Sequence, residues 1–479
     1  MLVAAASHLG DDASLIAATH VCHLWRTTLL SSPRLWSHLD FANEKRALAF
    51  LERSKSVPLR VDLMGVEDPS ETIRESLNKI TTKMTTLWAV HDSFLSELLA
   101  QPMPALEVLE ITDSCDCPKK PIRHFPSLTS LVIHGSDRLR FRAPILTVFR
   151  ITHDPVLGSL RLGLTANSIH AFLRSCPLLQ VASLDCGDMD THLDSNEVVS
   201  LPFLRSFTHE SYCDSYQLCL LDPLSLPSSC RVVLGIDVTG CYNNPWVLDL
   251  PTPRNTSYLS DVRTIKIAAR TRELDVIEEH VTFKIEFLSS AGTTITFNRS
   301  SFYDGRPSRF SYEGFLDIPE NIGIGSVDTL CFDHYPVITH YTIPHVSPEH
   351  IAEGLRRFQN LKTLILVECD IIPFLDDISS CPVLDTLVIY SMDLVDPFGP
   401  TAVDVVKLVQ EFAISRKEAG SPLKALTLVL PSTLLHPPEL ELLSIFVGLV
   451  EVVTGDDALC WDLDEYLQGA IRKDDTSRF

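Results

Sequence analysis

The sequence is poor in basic residues, with 40 Lys and Arg against 62 Asp and Glu among its 479 residues and a formal net charge of −22. A chain this acidic is a poor match for nucleic acid, because proteins that bind the phosphate backbone present a basic surface that displaces counterions. It is an equally poor match for the anionic surface of a membrane. We therefore predict no nucleic-acid partner and no membrane partner.

Long apolar runs are also missing. No segment reaches the ~20 consecutive apolar residues that a membrane-spanning helix needs, and the longest near the C-terminus is interrupted by Glu441 and Glu451. The N-terminus has no Lys or Arg before Arg26, which is not typical of a secretory signal. The 13 Cys are odd in number and scattered, as is typical of reduced thiols. These features predict an intracellular protein, cytoplasmic or nuclear.

Motifs of the common enzyme classes are absent from the sequence. No glycine-rich phosphate loop, G-x-S-x-G elbow or H-E-x-x-H zinc motif occurs. An acidic cluster between residues 185 and 194 lacks the glycine and terminal Glu of a calcium loop, and Cys115 and Cys117 lack the spacing of a zinc site. We expect no catalytic residue, no metal and no cofactor, and hence no enzyme. A hydrolase stays an alternative, because an active site assembled from distant residues leaves no motif.

A short phrase recurs along the chain: Pro, any residue, an aliphatic residue, two spacers, an apolar residue, a spacer, and then Ile or Leu. This alternation predicts a short strand with one face turned to a core. The copies recur at steps of 18 to 39 residues, which bracket the ~20–29 residues of a leucine-rich repeat. The copies that begin with proline start at Pro104, Pro126, Pro144 and Pro382, with a weaker copy at Pro177 and a degraded one at Pro202.

Amphipathic helical segments lie between several of these strands. The clearest covers residues 401–417 and is followed by Gly420, where a helix C-cap would fall. Because one strand–helix unit cannot bury its own face, such units stack. We predict an α/β fold in which a short N-terminal helical segment is followed by a leucine-rich repeat solenoid with a curved parallel sheet. The alternative is an ordinary α/β domain around a buried parallel sheet.

The middle of the chain, from about residue 210 to residue 326, breaks the repeat rhythm. Residues 281–288 and 293–297 predict a hairpin, while 232–236 and 262–265 are candidate strands of the ladder. The predicted organisation is a helical segment at 1–42, repeats at 43–210, irregular β-rich repeats or an insertion at 211–326, and repeats with a C-terminal cap at 327–479.

The first forty residues differ in kind from the repeats. Asp12 is placed to cap a helix over residues 13–26, and a further helical turn over residues 27–30 is expected to end at Pro33. Apolar residues at steps of three and four form one stripe along the first helix: Leu15, Ala18, Cys22 and Trp25. A helical cap that shields one end of the repeats would account for this segment.

Two phrases in the same segment resemble the F-box family. Residues 21–26, Val-Cys-His-Leu-Trp-Arg, match the family phrase V-C-x-x-W-[RK], and residues 32–36, Ser-Pro-Arg-Leu-Trp, match its [SD]-x-x-L-W ending. An F-box followed by leucine-rich repeats is a familiar combination. The family's opening L-P-x-E-[IL] phrase has no counterpart, so the box is predicted to be N-terminally incomplete or degenerate.

The resemblance implies a function. F-box proteins are substrate receptors of SCF-type cullin–RING E3 ubiquitin ligases, and the box docks on the adaptor subunit that connects to the cullin. The chain would then be a non-enzymatic subunit that holds a protein target near the ubiquitin-charged partner, and its acidic charge favours a target with a basic surface. The alternative is an interaction scaffold that recruits no ligase. By the same resemblance, eight residues form the box core or contact the adaptor: Leu9, Leu15, Val21, Cys22, Trp25, Pro33, Leu35 and Trp36.

Overall fold

The computed structural model describes residues 12–66, 68–91, 93–113, 123–135, 141–152, 165–185, 197–211, 223–237, 262–275, 278–290, 294–303, 324–334, 353–367, 375, 381–390, 402–430 and 437–454. The chain divides into two compact units. Unit 1 comprises Met1–Ser211 and Pro223–Pro227, and unit 2 comprises Tyr212–Asp222 and Ser228–Phe479.

Unit 1 is built on a sheet of eight parallel strands in chain order. Its strands are β1 (His38–Asp40), β2 (Leu59–Leu63), β3 (Met84–His91), β4 (Val108–Asp113), β5 (Arg123–His124), β6 (Ser130–Gly135), β7 (Phe141–Arg142), β8 (Val148–Thr152), β9 (Val181–Asp185), β10 (Val199–Ser200), β11 (Ser206–Ser211) and β12 (Leu224–Ser225). The main sheet runs β1-β2-β3-β4-β6-β8-β9-β11, each pairing parallel. Two small parallel pairs, β5 with β7 and β10 with β12, accompany it.

The repeated phrase accounts for these strands. In β4, Leu109 and Ile111 are fully buried while Glu110 points to the opposite, partly exposed face. Before the strand, Leu106 closes a turn by donating its amide hydrogen to the carbonyl oxygen of Met103, and its side chain is buried. The same closed turn, here termed the leading turn, precedes β6, β8, β9 and β11 with a buried leucine in each: Leu128, Leu146, Leu179 and Leu204.

The helices of unit 1 are α1 (Asp12–Ala18), α2 (His23–Leu30), α3 (Glu44–Ser54), α4 (Glu71–Ile80), α5 (Ser93–Leu99) and α6 (Ala166–Arg174), with 3-10 turns at Pro33–Trp36, Phe41–Asn43 and Thr81–Lys83. Three of these helices begin with a side-chain cap. Asn43 and Ser70 accept hydrogen bonds from amides in the first turns of α3 and α4, and Thr165 and Ser168 form a capping box on α6.

The single helix predicted over residues 13–26 is wrong, because α1 ends at Ala18 and α2 begins at His23. The amides of Thr19 and His20 donate to carbonyl oxygens three residues back rather than four, and the Thr19 hydroxyl donates to the Ile16 oxygen at 2.7 Å. β-Branched side chains at 19 and 21 also lower helix propensity. Cys22 is therefore the extended residue before α2 and not part of a helical stripe.

Among the described strands of unit 2, a single antiparallel strand interrupts a parallel ladder. Its strands are β13 (Arg231–Asp237), β14 (Val262–Asp275), β15 (Glu278–Ser289), β16 (Thr294–Tyr303), β17 (Thr329–His334), β18 (Thr363–Val367), β19 (Thr386–Tyr390), β20 (Ala425–Leu430) and β21 (Leu449–Thr454). They are ordered 13-16-15-14-17-18-19-20-21, with β14–β15 and β15–β16 antiparallel and the other pairs parallel. The predicted hairpin is confirmed as β15–β16. Its helices include α7 (Ala402–Glu418) and α8 (Pro437–Phe446), with a 3-10 turn at Ile324–Ser326; residues 353–356 are also helical.

Strands β18 to β20 differ from those of unit 1 in being buried on both faces. Leu364 and Leu366 point to one face of β18 and Ile365 to the other, and all three are fully buried. On the second face, Ile365 joins a buried cluster with Cys331, Val367 and Val388. A continuous apolar run of this kind is typical of a strand covered on both sides. Of the predicted fold class, the structure confirms the α/β class with mostly parallel strands and no finer feature.

The end of α7 has the predicted glycine cap. Gly420 has a φ of +81°, in the left-handed region, and the Ser421 amide donates to the carbonyl oxygen of Arg416 at 2.9 Å. This is the backbone reversal that glycine adopts at low cost after a helix. The chain then enters β20 through the buried Leu423.

Candidate functional site

An exposed apolar patch lies where α1 gives way to α2. It consists of Val21, Cys22, Leu24 and Trp25, here termed the N-terminal patch. Val21 and Leu24 are each 65% exposed, Cys22 is exposed and Trp25 is partly buried. Adjacent exposed side chains of this size are more typical of a contact surface than of isolated surface positions.

The local chain path explains this exposure. Cys22 is extended, with φ −160° and ψ 171°, and its side chain makes no capping hydrogen bond. At the other end of α2, Leu29 is fully buried and fixes the helix to the interior. The first turn of α2 is consequently exposed, while its last turn is packed against the interior.

Trp36 is what holds that last turn. Its side chain is fully buried, and its indole packs edge-on against Phe50 of α3 with ring centroids 4.9 Å apart. The guanidinium of Arg53 lies 4.7 Å from the centre of the same indole ring. Trp36 is therefore a core residue shared by the N-terminal segment and α3.

The eight residues predicted for the box thus fall into different environments. Leu15 and Trp36 are buried, while Pro33, Leu35 and Trp25 are partly buried. Val21 and Cys22 are exposed, and Leu9 lies outside the described residues. Val21, Cys22 and Trp25 come together in the N-terminal patch, whereas Trp36 belongs to the interior.

The sequence prediction missed Leu24, which is as exposed as Val21. The family phrase treats this position as variable, so the motif alone does not select it. The available signal was a large apolar residue in the first turn of a helix, next to polar His23 and Arg26, which are both exposed. These two side chains make the rim of the patch basic or neutral rather than acidic.

Besides the apolar N-terminal patch, a group of hydrogen-bonded polar side chains crosses three strands of unit 1. The Nε2 atom of His134 on β6 lies 2.8 Å from Oε1 of Glu110 on β4, and Thr152 Oγ1 on β8 lies 2.5 Å from His134 Nδ1. Both imidazole nitrogens are engaged by neighbouring strands on the partly exposed face of the sheet. The arrangement links a hydroxyl, an imidazole and a carboxylate, and it stabilises the sheet through cross-strand pairs.

The described residues contain no group of three or more His, Cys, Asp or Glu that could hold a metal ion. Within the same residues, no helix is both long and apolar enough to cross a membrane. No protein-family model matches the chain, and no curated protein matches its sequence. The F-box and leucine-rich repeat resemblances accordingly stay predictions from the motifs of this sequence.

Proposed function

We propose that the chain is the substrate-recognition subunit of an SCF-type cullin–RING E3 ubiquitin ligase. The N-terminal segment would dock on the adaptor, and the repeats, stacked as a leucine-rich repeat solenoid, would hold a protein target. The observation that carries this proposal is the 65% exposure of both Val21 and Leu24 within the V-C-x-x-W-R phrase. Residues that serve only the fold are normally buried, so these two are available to a partner.

The attachment of α2 to the repeats supports a receptor role. A receptor accelerates ubiquitin transfer by holding its target near the charged partner, which requires a firm connection between the two binding surfaces. Trp36 supplies one connection by packing on Phe50. The next residues form β1, whose Leu39 pairs in register with Val61 of β2. The docking segment is therefore continuous with the sheet of unit 1.

The chemistry of the N-terminal patch defines the adaptor surface that would fit it. Val21 and Leu24 require an apolar groove, and Trp25 can extend that contact at the next turn. His23 and Arg26 at the rim favour carboxylates around the groove. We expect an interface with an apolar centre and charged edges, which is the usual arrangement in protein complexes.

In this proposal the chain itself is not an enzyme, and bond formation belongs to other subunits of the ligase. The location would be intracellular, cytoplasmic or nuclear. Cys22 is an exposed free thiol, which supports a reducing compartment. The alternative function is a leucine-rich repeat scaffold whose degenerate box recruits no ligase.

Co-purification of the full chain with the ligase adaptor tests the proposal. The variant Val21→Asp, Leu24→Asp places two charges in the patch without touching the buried Trp36. Its matched control, Val198→Asp, Ile445→Asp, changes two residues that are also exposed but lie elsewhere. We expect the patch variant to lose about 100-fold or more in affinity, the effect of removing two central contacts. The control variant should bind the adaptor as the wild-type chain does.

Thermal unfolding of both variants should match the wild-type chain, because all four positions are exposed. A wild-type chain that does not bind the adaptor would favour the scaffold. Equal adaptor binding by the patch variant and the control would remove the N-terminal patch from the interface.

A further inference from the structure

Three consecutive leading turns of unit 1 expose a large apolar residue at the same position. Ile145, Leu178 and Phe203 each follow the proline of the repeated phrase and precede its buried leucine. They are 38%, 41% and 56% exposed respectively. These three residues are here termed the turn ridge.

Backbone hydrogen bonds show that these turns are stacked. The Gln180 amide donates to the carbonyl oxygen of Thr147 at 2.8 Å, and the Arg205 amide donates to the oxygen of Gln180 at 2.8 Å. Each of these residues lies two positions after a ridge residue. Successive turns are therefore one strand spacing apart, about 4.8 Å, which makes the ridge continuous.

The fold does not require an apolar residue at this position. The two preceding leading turns carry Ala105 and Ser127 there. The turn that contains Ser127 is closed in the same way, with the amide of buried Leu128 donating to the Phe125 carbonyl oxygen, and the Ser127 hydroxyl donates to the Pro104 oxygen of the preceding turn at 2.6 Å. Because serine suffices for the turn, three large apolar side chains in sequence indicate a contact surface.

The charges beside the ridge are basic, in contrast to the chain as a whole. Arg142 lies three residues before Ile145, Arg205 lies two residues after Phe203, and both are exposed. Arg174 is also exposed, and its guanidinium is 2.8 Å from Glu197. In an earlier turn the position equivalent to Arg205 is Glu107. The local charge therefore changes sign along the edge of unit 1 and becomes positive where the ridge lies.

We propose that the turn ridge binds an extended peptide segment of a protein partner, in which large apolar side chains are accompanied by carboxylates. The apolar side chains would pack on Ile145, Leu178 and Phe203, and the carboxylates would pair with Arg142 and Arg205. This inference rests on the proposed function, since the segment would belong to the target of the receptor. The net charge of the whole chain favours a basic target, but the arginines beside the turn ridge favour an acidic target segment at this surface.

Selection from a library of random twelve-residue peptides on the full chain tests this proposal. The counter-target is the variant Ile145→Ser, Leu178→Ser, Phe203→Ser, which gives each turn the residue that already stands at Ser127. A second variant, Arg142→Glu, Arg205→Glu, tests the charges. Selected peptides should contain at least two large apolar residues and carry a net negative charge. Their affinity should fall about tenfold or more in the serine variant and measurably in the charge variant.

Several outcomes would overturn the proposal. These are peptides that bind the chain and the serine variant equally, selected peptides with a net positive charge, and a charge variant that binds as tightly as the wild-type chain. A wild-type dimer that the serine variant converts to a monomer would assign the ridge to self-association instead. Failure to select any peptide would also count against it.

The test is independent of the adaptor experiment. The serine variant should retain the adaptor, and Val21→Asp, Leu24→Asp should retain the selected peptide. Peptide binding in a chain that does not bind the adaptor would leave the ridge as the binding surface of a scaffold.

Discussion

The indole N–H of Trp36 donates a hydrogen bond of 2.9 Å to the backbone carbonyl oxygen of Leu29. Leu29 lies in the last turn of α2, where carbonyl oxygens have no partner within the helix. Both side chains are fully buried. The Ser32 amide donates to the same oxygen at 3.1 Å. The indole bond therefore adds a second donor at a buried helix end and positions α2 against the aromatic pair of Trp36 and Phe50.

Replacement of Trp36 should destabilise the protein rather than weaken adaptor binding directly. Trp36→Ala is expected to lower the free energy of unfolding by about 3–5 kcal/mol, since it leaves a cavity and removes the indole hydrogen bond. Trp25→Ala, at a partly buried position, should cost less. Urea denaturation of the full chain measures both. A loss under about 1 kcal/mol for Trp36→Ala would contradict the assignment of Trp36 to the core.

His209 should make stability depend on pH. Its side chain is buried on β11, its Nδ1–H donates to the Leu184 carbonyl oxygen at 3.0 Å, and burial lowers the pKa of the imidazole to about 4. The unfolded chain, with an ordinary histidine pKa near 6.5, takes up a proton first as pH falls. Stability is therefore fully present above about pH 6.5 and is lost progressively down to about pH 4, by about 3 kcal/mol in total.

A matched variant isolates this histidine from the carboxylates that titrate in the same range. His209→Leu removes the titration while keeping an apolar side chain in the site. The difference in unfolding free energy between the two proteins should change between pH 7 and pH 4 in favour of the variant. A difference that does not vary with pH would show that His209 is protonated in both states or in neither.

Arg416 should be essential to the packing of α7. Its guanidinium is buried and donates to the carbonyl oxygens of Cys381 at 2.7 Å and Leu384 at 2.8 Å. These two residues lie in the turn before β19, which the Leu384 amide closes by donating to the Cys381 oxygen. Burial lowers the pKa of this guanidinium. Arg416→Ala removes both guanidinium hydrogen bonds at a buried position and is expected to cost about 3 kcal/mol. Amide hydrogen exchange in β19 should then accelerate about 100-fold.

The control for this variant is Lys407→Ala, which removes an exposed cation from the same helix. It should leave the exchange of β19 amides unchanged. Similar acceleration in both variants would mean that helix charge, and not the pair of hydrogen bonds, stabilises this region.

Gly420→Ala should cost about 1 kcal/mol through the backbone alone. The glycine has a φ of +81°, and beyond its chain neighbours and the helix backbone no heavy atom of the described residues lies within 4 Å of the position that a Cβ would occupy. The loss therefore comes from forcing alanine into the left-handed region. Gly420→Asn should be less costly, since asparagine tolerates this conformation better. Thermal denaturation would contradict this account if the alanine variant were as stable as the wild-type chain.

The strands were predictable where local alternation decides their position. The phrases that begin at Pro104 and Pro126 led directly to β4 and β6, because Leu109 and Leu131 alternate with outward-facing residues. In β18 and β20 the same phrase accompanies burial on both faces, which depends on what covers the second face. The pairing of β13 with β16 was equally beyond a local reading, since it joins Val232 to Ile295.

The candidate site was predictable only in part for a related reason. The two F-box phrases selected Val21 and Trp36 for the same box, but the structure places Val21 on the surface and Trp36 in the core. A motif records residue types and spacing, whereas exposure depends on the helix break after Ala18 and on packing against α3. For the same reason the sequence did not reveal the turn ridge, because its residues occupy the position at which the repeated phrase allows any residue.

The strand order described above also has a kinetic consequence. In unit 1 each main-sheet strand pairs with the next one formed along the chain, so its contacts close short loops. In unit 2, β13 pairs with β16, so this pairing can form only after β14, β15 and β16 have been synthesised. Because closing longer loops costs more entropy before contacts form, folding slows as contacts become less local. During synthesis unit 1 should therefore acquire its structure early, while unit 2 completes its sheet only after β16 has emerged.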